Sequence, residues 1–135
     1  MEQLIEKLKE KYGVTKDIRA VRSPLRICPL GAHSDHQLGR VTGMALDSSV
    51  NIVYVPNDEG YVRIQSLDFP DEEYFHIDHV PDMLPGFWGN YVRGAVNSLK
   101  KDYILRRGYT GIVSGKLPIG GLSSSAAVTT AYLMA

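Results

Sequence analysis

Two short stretches of this chain hold side chains whose types and spacing could do chemistry. The first is Leu117-Pro118-Ile119-Gly120-Gly121-Leu122-Ser123-Ser124-Ser125-Ala126-Ala127. Glycines let a backbone approach a ligand with no Cβ in the way. A helix that opens just after them directs free N–H groups, and the positive end of its dipole, at one point. Serine hydroxyls there can cap the helix, bind phosphate oxygens or hold a Mg²⁺ that bridges phosphates. The chemistry is that of a cradle for a nucleoside triphosphate. It is not a Walker A loop, because no Lys follows the glycines as G-K-[ST] requires. A bare Gly-Gly would signal only a capped helix, whereas the full run after a strand and a Pro favours phosphate.

The second stretch runs from Ser23 to Gly39. It gathers Arg26, His33, Asp35 and His36 into eleven positions, with Gly31 and Gly39 to bend the backbone. A sugar site needs such planar donors and acceptors on a rigid frame. Arg26 would supply fixed positive charge where a transferring phosphoryl group builds negative charge. Taken singly, His33 and His36 read as ordinary loop histidines and Asp35 as an Asx-turn residue beside Ser34; their occurrence together with the first stretch favours a site. A rival chemistry is a metallohydrolase, because His33-x-Asp35-His36 resembles part of a zinc cluster. A catalytic zinc needs three protein ligands, and the remaining histidines, His76 and His79, offer no matching spacing.

Regular elements must hold these loops. Leu4, Ile5, Leu8 and Tyr12 share a helical face before Gly13, which predicts a helix over Glu2 to Tyr12. Ile18 to Ser23 predicts a strand that ends in a turn at Pro24. Val50 to Val55 and Tyr61 to Ser66 flank the turn signal Asn57-Asp58-Glu59-Gly60, which predicts an antiparallel hairpin. Glu73 to Ile77 could add a further strand. Trp88, Val92, Ala95 and Leu99 recur at helical spacing, giving a helix of roughly Trp88 to Tyr103. Tyr109 to Ser114 reads as a strand, Gly115 to Gly121 as a loop and Ser123 to Ala135 as an Ala-rich helix. Mixed strands and helices in this order indicate an α+β domain.

The 135 residues suit about one domain, and 44% apolar with 22% charged residues is ordinary globular usage. Fifteen Lys+Arg balance fifteen Asp+Glu, which argues against a nucleic-acid or anionic-membrane partner reached by bulk charge. The single cysteine, Cys28, excludes a disulfide framework and fits a reducing cytoplasm. No apolar stretch approaches the ~20 residues needed to span a bilayer, and Met1 to Glu10 lacks a signal peptide's apolar core. The last helix meets Ala135 with no stop signal, which reads as a truncation.

The two stretches together resemble the first and second signature motifs of the GHMP family of small-molecule kinases, in its galactokinase branch. Galactokinases carry a pattern like R-x-N-L-I-G-E-H-T-D-Y-x-x-G, which stands here as Arg26-Ile27-Cys28-Pro29-Leu30-Gly31-Ala32-His33-Ser34-Asp35-His36-Gln37-Leu38-Gly39. The resemblance implies an N-terminal α+β domain of ribosomal-protein-S5-like type, with a mixed or antiparallel sheet and helices on one side. A C-terminal domain, missing here, would complete the site. It implies ATP and Mg²⁺ as cofactors and a sugar or sugar acid as partner. Arg26 would be the catalytic arginine, and Ala32, His33, Asp35 and His36 would meet the sugar. Gly120, Gly121, Leu122, Ser123, Ser124 and Ser125 would bind the ATP phosphates, Ser125 and Ser124 also serving as Mg²⁺ ligands. Trp88 and Tyr91 lie in a stretch similar to the family's W-x-x-Y helix near the adenine pocket, but for those two the helical spacing favours core packing.

Two departures bear on the substrate. The family's Glu before the His is Ala32, and its Tyr after the Asp is His36. In galactokinases that Glu contacts the hydroxyl at carbon 6 of the sugar. A uronic acid carries a carboxylate there, and two anions ~4 Å apart at an effective dielectric near ~20 repel by ~4 kcal/mol. The combination is similar to galacturonokinases, whose first motif reads I-C-P-L-G-A-H-x-D-H-Q, and implies phosphorylation of D-galacturonate at its anomeric hydroxyl. Galactose phosphorylation and a non-catalytic sugar-sensing role are the alternatives. The resemblance implies that the aspartate base and a third glycine-rich motif lie downstream of Ala135, so the chain alone would be inactive.

Overall fold

The computed structural model describes residues 1–31, 34–115 and 122–135, and of Asp35 the backbone only. The chain runs α1 (Glu2–Tyr12), β1 (Arg19–Ile27), a 3₁₀ turn (Asp35–Gln37), β2 (Met44–Asn57), β3 (Tyr61–Ser66), β4 (Glu72–His76), α2 (Asn90–Asp102), β5 (Gly108–Ser114) and α3 (Ser124–Met134). The described strands form one mixed sheet in the order β1-β2-β5-β3-β4. The expected α+β class and helix positions hold. α1 has Glu2 in its first turn and Lys9 and Lys11 in its last, matching the helix dipole, and Gly13 closes it in the left-handed conformation at φ 66°.

β2 and β3 do not form the expected hairpin. Asn57 braces the turn between them, its side-chain amide donating to the Tyr61 carbonyl at 2.8 Å. Yet β5 lies between the two strands, antiparallel to β2 and parallel to β3. The reason is burial: Tyr109 and Val113 face one side of the sheet, Ile112 the other, and all three are buried. A strand apolar on both faces belongs at the centre of a sheet. Gly108 sits at the fork, where a Cβ would lie 2.1 Å from the Tyr61 carbonyl oxygen.

β1 also differs from expectation, running through Pro24 rather than stopping at it. β1 is an edge strand, where a missing N–H is tolerated. The register then shifts, with Pro24 opposite Ser49 but Arg26 opposite Ala45. The irregularity falls between Pro24 and Arg26, immediately ahead of the arginine.

The helices do not all share one side, which corrects the one-sided arrangement the resemblance implied. Leu25, Val50, Ile52, Val62, Ile64 and Val113 pack with α2 and α3 on one face. Leu4 and Leu8 of α1 pack with Val53 and Ile112 on the opposite face. Strand alternation dictates this, since β2 and β5 are apolar at consecutive positions and both faces need cover.

Candidate active site

The two chemistry-bearing stretches meet at the backbone. The Arg26 N–H donates to the Leu122 carbonyl at 3.2 Å. This joins the end of β1 to the residues that open α3, and α3 packs along β1 and β2. The Arg26 side chain is exposed, its stem passing Gly43, and it has no ion-pair partner among the described residues. A guanidinium with no carboxylate already paired to it leaves its planar fork of donors open to an incoming anion.

Ser123 precedes α3 in the left-handed region, at φ 53° and ψ 37°, and among the described residues no side chain caps the helix. A non-glycine residue there is strained by about 1–2 kcal/mol. The alternative of a plainly capped helix is therefore not seen at Ser123. The first N–H groups of a helix lack intrahelical partners, which makes this end receptive to an anion.

Leu30 and Thr42 close the loop after β1: the Leu30 N–H donates to Thr42 Oγ1 at 3.0 Å, and the Thr42 N–H to the Leu30 carbonyl at 2.9 Å. Inside it, the N–H groups of Gln37 and Gly39 both donate to the Ser34 carbonyl. Gly31 has φ 84°, and a Cβ there would lie 2.4 Å from the Arg40 carbonyl oxygen. Asp35 and His36 therefore ride on a 3₁₀ turn inside a stitched loop, His36 exposed. Ala32, His33, Gly120 and Gly121 lie outside the described residues.

A cavity of about 520 Å³ opens where α2 and α3 begin, lined among others by Asp68, Phe87, Trp88, Tyr91, Ser124 and Ser125. Its size suits a small organic ligand. The Trp88 indole N–H donates to the Pro70 carbonyl at 2.9 Å while its ring packs on the core. Tyr91, 40% exposed, is not a core residue; its hydroxyl lies 2.8 Å from Ser125 Oγ. Trp88, Tyr91, Ser124 and Ser125, far apart in sequence, thus share one wall. Ser124 and Ser125 offer the oxygen donors that Mg²⁺ prefers, and an Asp68 carboxylate lines the same cavity. The donor set fits a Mg²⁺ that arrives with phosphate.

Three bracing positions around the cavity escaped the sequence reasoning. Asp68 accepts the Gly115 N–H at 2.6 Å, fastening the backbone where the glycine loop begins. Arg93 and Glu73 form a buried pair, with Nε to Oε2 at 2.8 Å and Nη2 to Oε1 at 3.1 Å. Arg93 also donates to the Asp82 carbonyl and lies over the Phe87 ring at 5.0 Å. The pair thereby holds the segment that carries Phe87 and Trp88 over the cavity. A signal existed: Glu73 alternates with Phe75 on the inward face of β4, an unusual place for an unpaired carboxylate.

Among the described residues no three of His, Cys, Asp and Glu gather as a metal site. His76 instead has structural bonds, with Nδ1 accepting the Asp78 N–H at 3.2 Å and Nε2 at 3.1 Å from the Glu59 carbonyl oxygen. No described helix is long and apolar enough to cross a membrane.

No protein-family model matches the chain. It is 39% identical to a galacturonokinase from Arabidopsis thaliana over 88% of its own length and 32% of that protein's. It is 36% identical to a galactokinase from Chloroflexus aggregans over 90% of itself and 32% of that protein. The crystal structure of Lactococcus lactis galactokinase complexed with galactose superimposes with a TM-score of 0.87 at 30% identity, covering 94% of this chain and 34% of that one. The chain thus spans about a third of the length of the curated relatives it matches, at 32% of each of these two. With these identities and the α+β fold in common, this chain belongs to the galactokinase branch of the GHMP kinase superfamily.

Proposed function

We propose that the full-length protein is an ATP-dependent sugar 1-kinase acting on D-galacturonate, and that these 135 residues form its N-terminal domain. The observation that carries this reading is the 3.2 Å hydrogen bond from the Arg26 N–H to the Leu122 carbonyl, which joins the two motifs. In this reading ATP enters the cavity with its base near Trp88 and Tyr91. Its phosphates run over Gly120, Gly121, Leu122 and Ser123 to the start of α3. Mg²⁺, when bound, neutralises phosphate charge and is held by Ser125 and Ser124. Arg26 stabilises charge on the phosphoryl group in flight, and His33, Asp35 and His36 hold the sugar. Phosphoryl transfer depends mainly on such positioning and electrostatics. An aspartate downstream of these residues takes the hydroxyl proton. Exposed Leu30 and Leu38, 69% and 97% accessible on the loop after β1, support an apposed surface there.

Ala32 supports the acid substrate, because a Glu at that position would stand against the sugar's carboxylate. The likeness to a protein named galacturonokinase supports the same choice. Galactose is the second reading, supported by the likeness to galactokinases and to one solved with galactose. The test is initial-rate kinetics of the full-length protein on both sugars, with the product located by ³¹P NMR. Galacturonate should give the higher kcat/KM and an anomeric phosphate. Ala32→Glu should reverse the order. Faster turnover of galactose by the unmodified protein would overturn the assignment.

A further inference from the structure

We propose that Tyr91 is a positioning residue for the cation, its hydroxyl holding that of Ser125 so that an oxygen lone pair faces Mg²⁺. The proposal rests on the cavity's reading as a Mg·nucleotide site and deepens it.

Three observations carry it. Tyr91 Oη and Ser125 Oγ stand 2.8 Å apart, a full hydrogen bond between residues 34 positions apart in sequence. A serine hydroxyl has one proton and two acceptor lone pairs. When Ser125 gives its proton to Tyr91 Oη, both lone pairs stay available and the oxygen is held in one rotamer. Second, Ser125 is fastened at its other end, where its carbonyl accepts the Thr129 hydroxyl at 2.8 Å. Backbone and side chain are thus both held, in the first turn of α3. Third, the ring that presents the hydroxyl is anchored independently. The Tyr91 N–H donates to the Trp88 carbonyl at 3.3 Å, and the Trp88 indole is tied to Pro70.

A ring needed only for stacking on a base would serve equally as Phe. The hydroxyl's approach to Ser125 calls for a role that Phe could not fill. An outer partner that orients a metal ligand typically changes cation affinity by about 10–100-fold when removed.

The experiment is calorimetric titration of the full-length protein with a non-hydrolysable ATP analogue, once with Mg²⁺ and once with EDTA. The ratio of the two dissociation constants measures how strongly cation and nucleotide are coupled. Tyr91→Phe keeps the ring, so the Mg²⁺-dependent tightening should fall by about tenfold, more than any change in metal-free affinity. In a Ser125→Ala background, Tyr91→Phe should add nothing further. A thermal melt confirms that each variant is folded. Unchanged coupling in Tyr91→Phe would overturn the proposal, as would an equal loss in the Ser125→Ala background. A loss confined to metal-free affinity would assign the hydroxyl to the base instead, which also overturns it. Absence of nucleotide binding by the unmodified protein under both conditions would remove the kinase reading and this proposal with it.

Discussion

Replacing Glu73 by Gln strikes the polar contact that ties the cavity to the sheet. Its carboxylate accepts two Arg93 N–H groups, at 2.8 and 3.1 Å, and the side chains are 3% and 7% exposed. Water therefore cannot replace the lost anion. The amide can keep one acceptor but leaves the Arg93 charge buried and uncompensated. Removing one member of such a pair costs about 3–5 kcal/mol, whereas exchanging both for apolar residues of similar volume is often near neutral. The surroundings leave little room to relax, since a Cβ on Gly89 would lie 2.1 Å from Glu73 Oε2. With m-values of roughly 1–3 kcal/mol/M for small domains, the urea midpoint should fall by about 2 M. Urea is the denaturant of choice because it does not screen the pair. Arg93→Met should cost a similar amount, and Glu73→Leu with Arg93→Met should cost much less than the two singles added together. A loss under about 1 kcal/mol in either single variant would refute the reasoning, as would simple additivity in the double.

Glu72 should set part of the acid limit of the fold. Burial raises its pKa, but hydrogen bonds from Tyr12, Lys11 and Arg63 outweigh burial and hold it below the ordinary carboxylate value. A depressed folded pKa contributes stability above the unfolded value, lost as pH falls through the folded one. Thermal melts should therefore decline below pH about 4.5, and Glu72→Gln should be less stable at pH 7 with a flatter acid limb; an unchanged limb would count against this. Tyr109→Phe should stabilise by about 1 kcal/mol, because among the described residues the buried Tyr109 hydroxyl has no hydrogen-bond partner while its ring packs edge-on against Tyr54. Burial also raises the Tyr109 pKa well above its ordinary value, so stability should fall as pH rises past 10, and the variant should lose less there. Arg26→Lys should lower kcat of the full-length protein by about 10²–10³-fold with an unchanged melt, since a point charge cannot replace the planar fork at an exposed position. A shifted melt would argue for a structural role.

The local elements were legible because their causes are local. Leu4, Leu8 and Gly13 specify α1 through a 3.6-residue period and a left-handed stop, and its bounds came out as read. The motifs around Arg26 and Ser125 were legible too, since glycines and hydroxyls ahead of a helix carry their chemistry in their order. Pro24 misled for an equally definite reason. A proline ends a central strand but is tolerated on an edge, and edge position is a property of the sheet.

What residue order could not convey was pairing between segments distant in the chain. A turn as clear as Asn57 to Gly60 reports only that the chain reverses, and not whether a third strand enters the fork. Competition for the sheet centre settled that, and β5 won it because it is apolar on both faces. The same holds for the cavity. Tyr91 and Ser125 share a hydrogen bond, Glu73 and Arg93 an ion pair, and Asp68 braces Gly115, each joining elements that meet only when α2 and α3 bury their apolar sides on one sheet face. Side-chain chemistry is written residue by residue, whereas which groups come within bonding distance depends on how the whole chain hides its apolar surface from water.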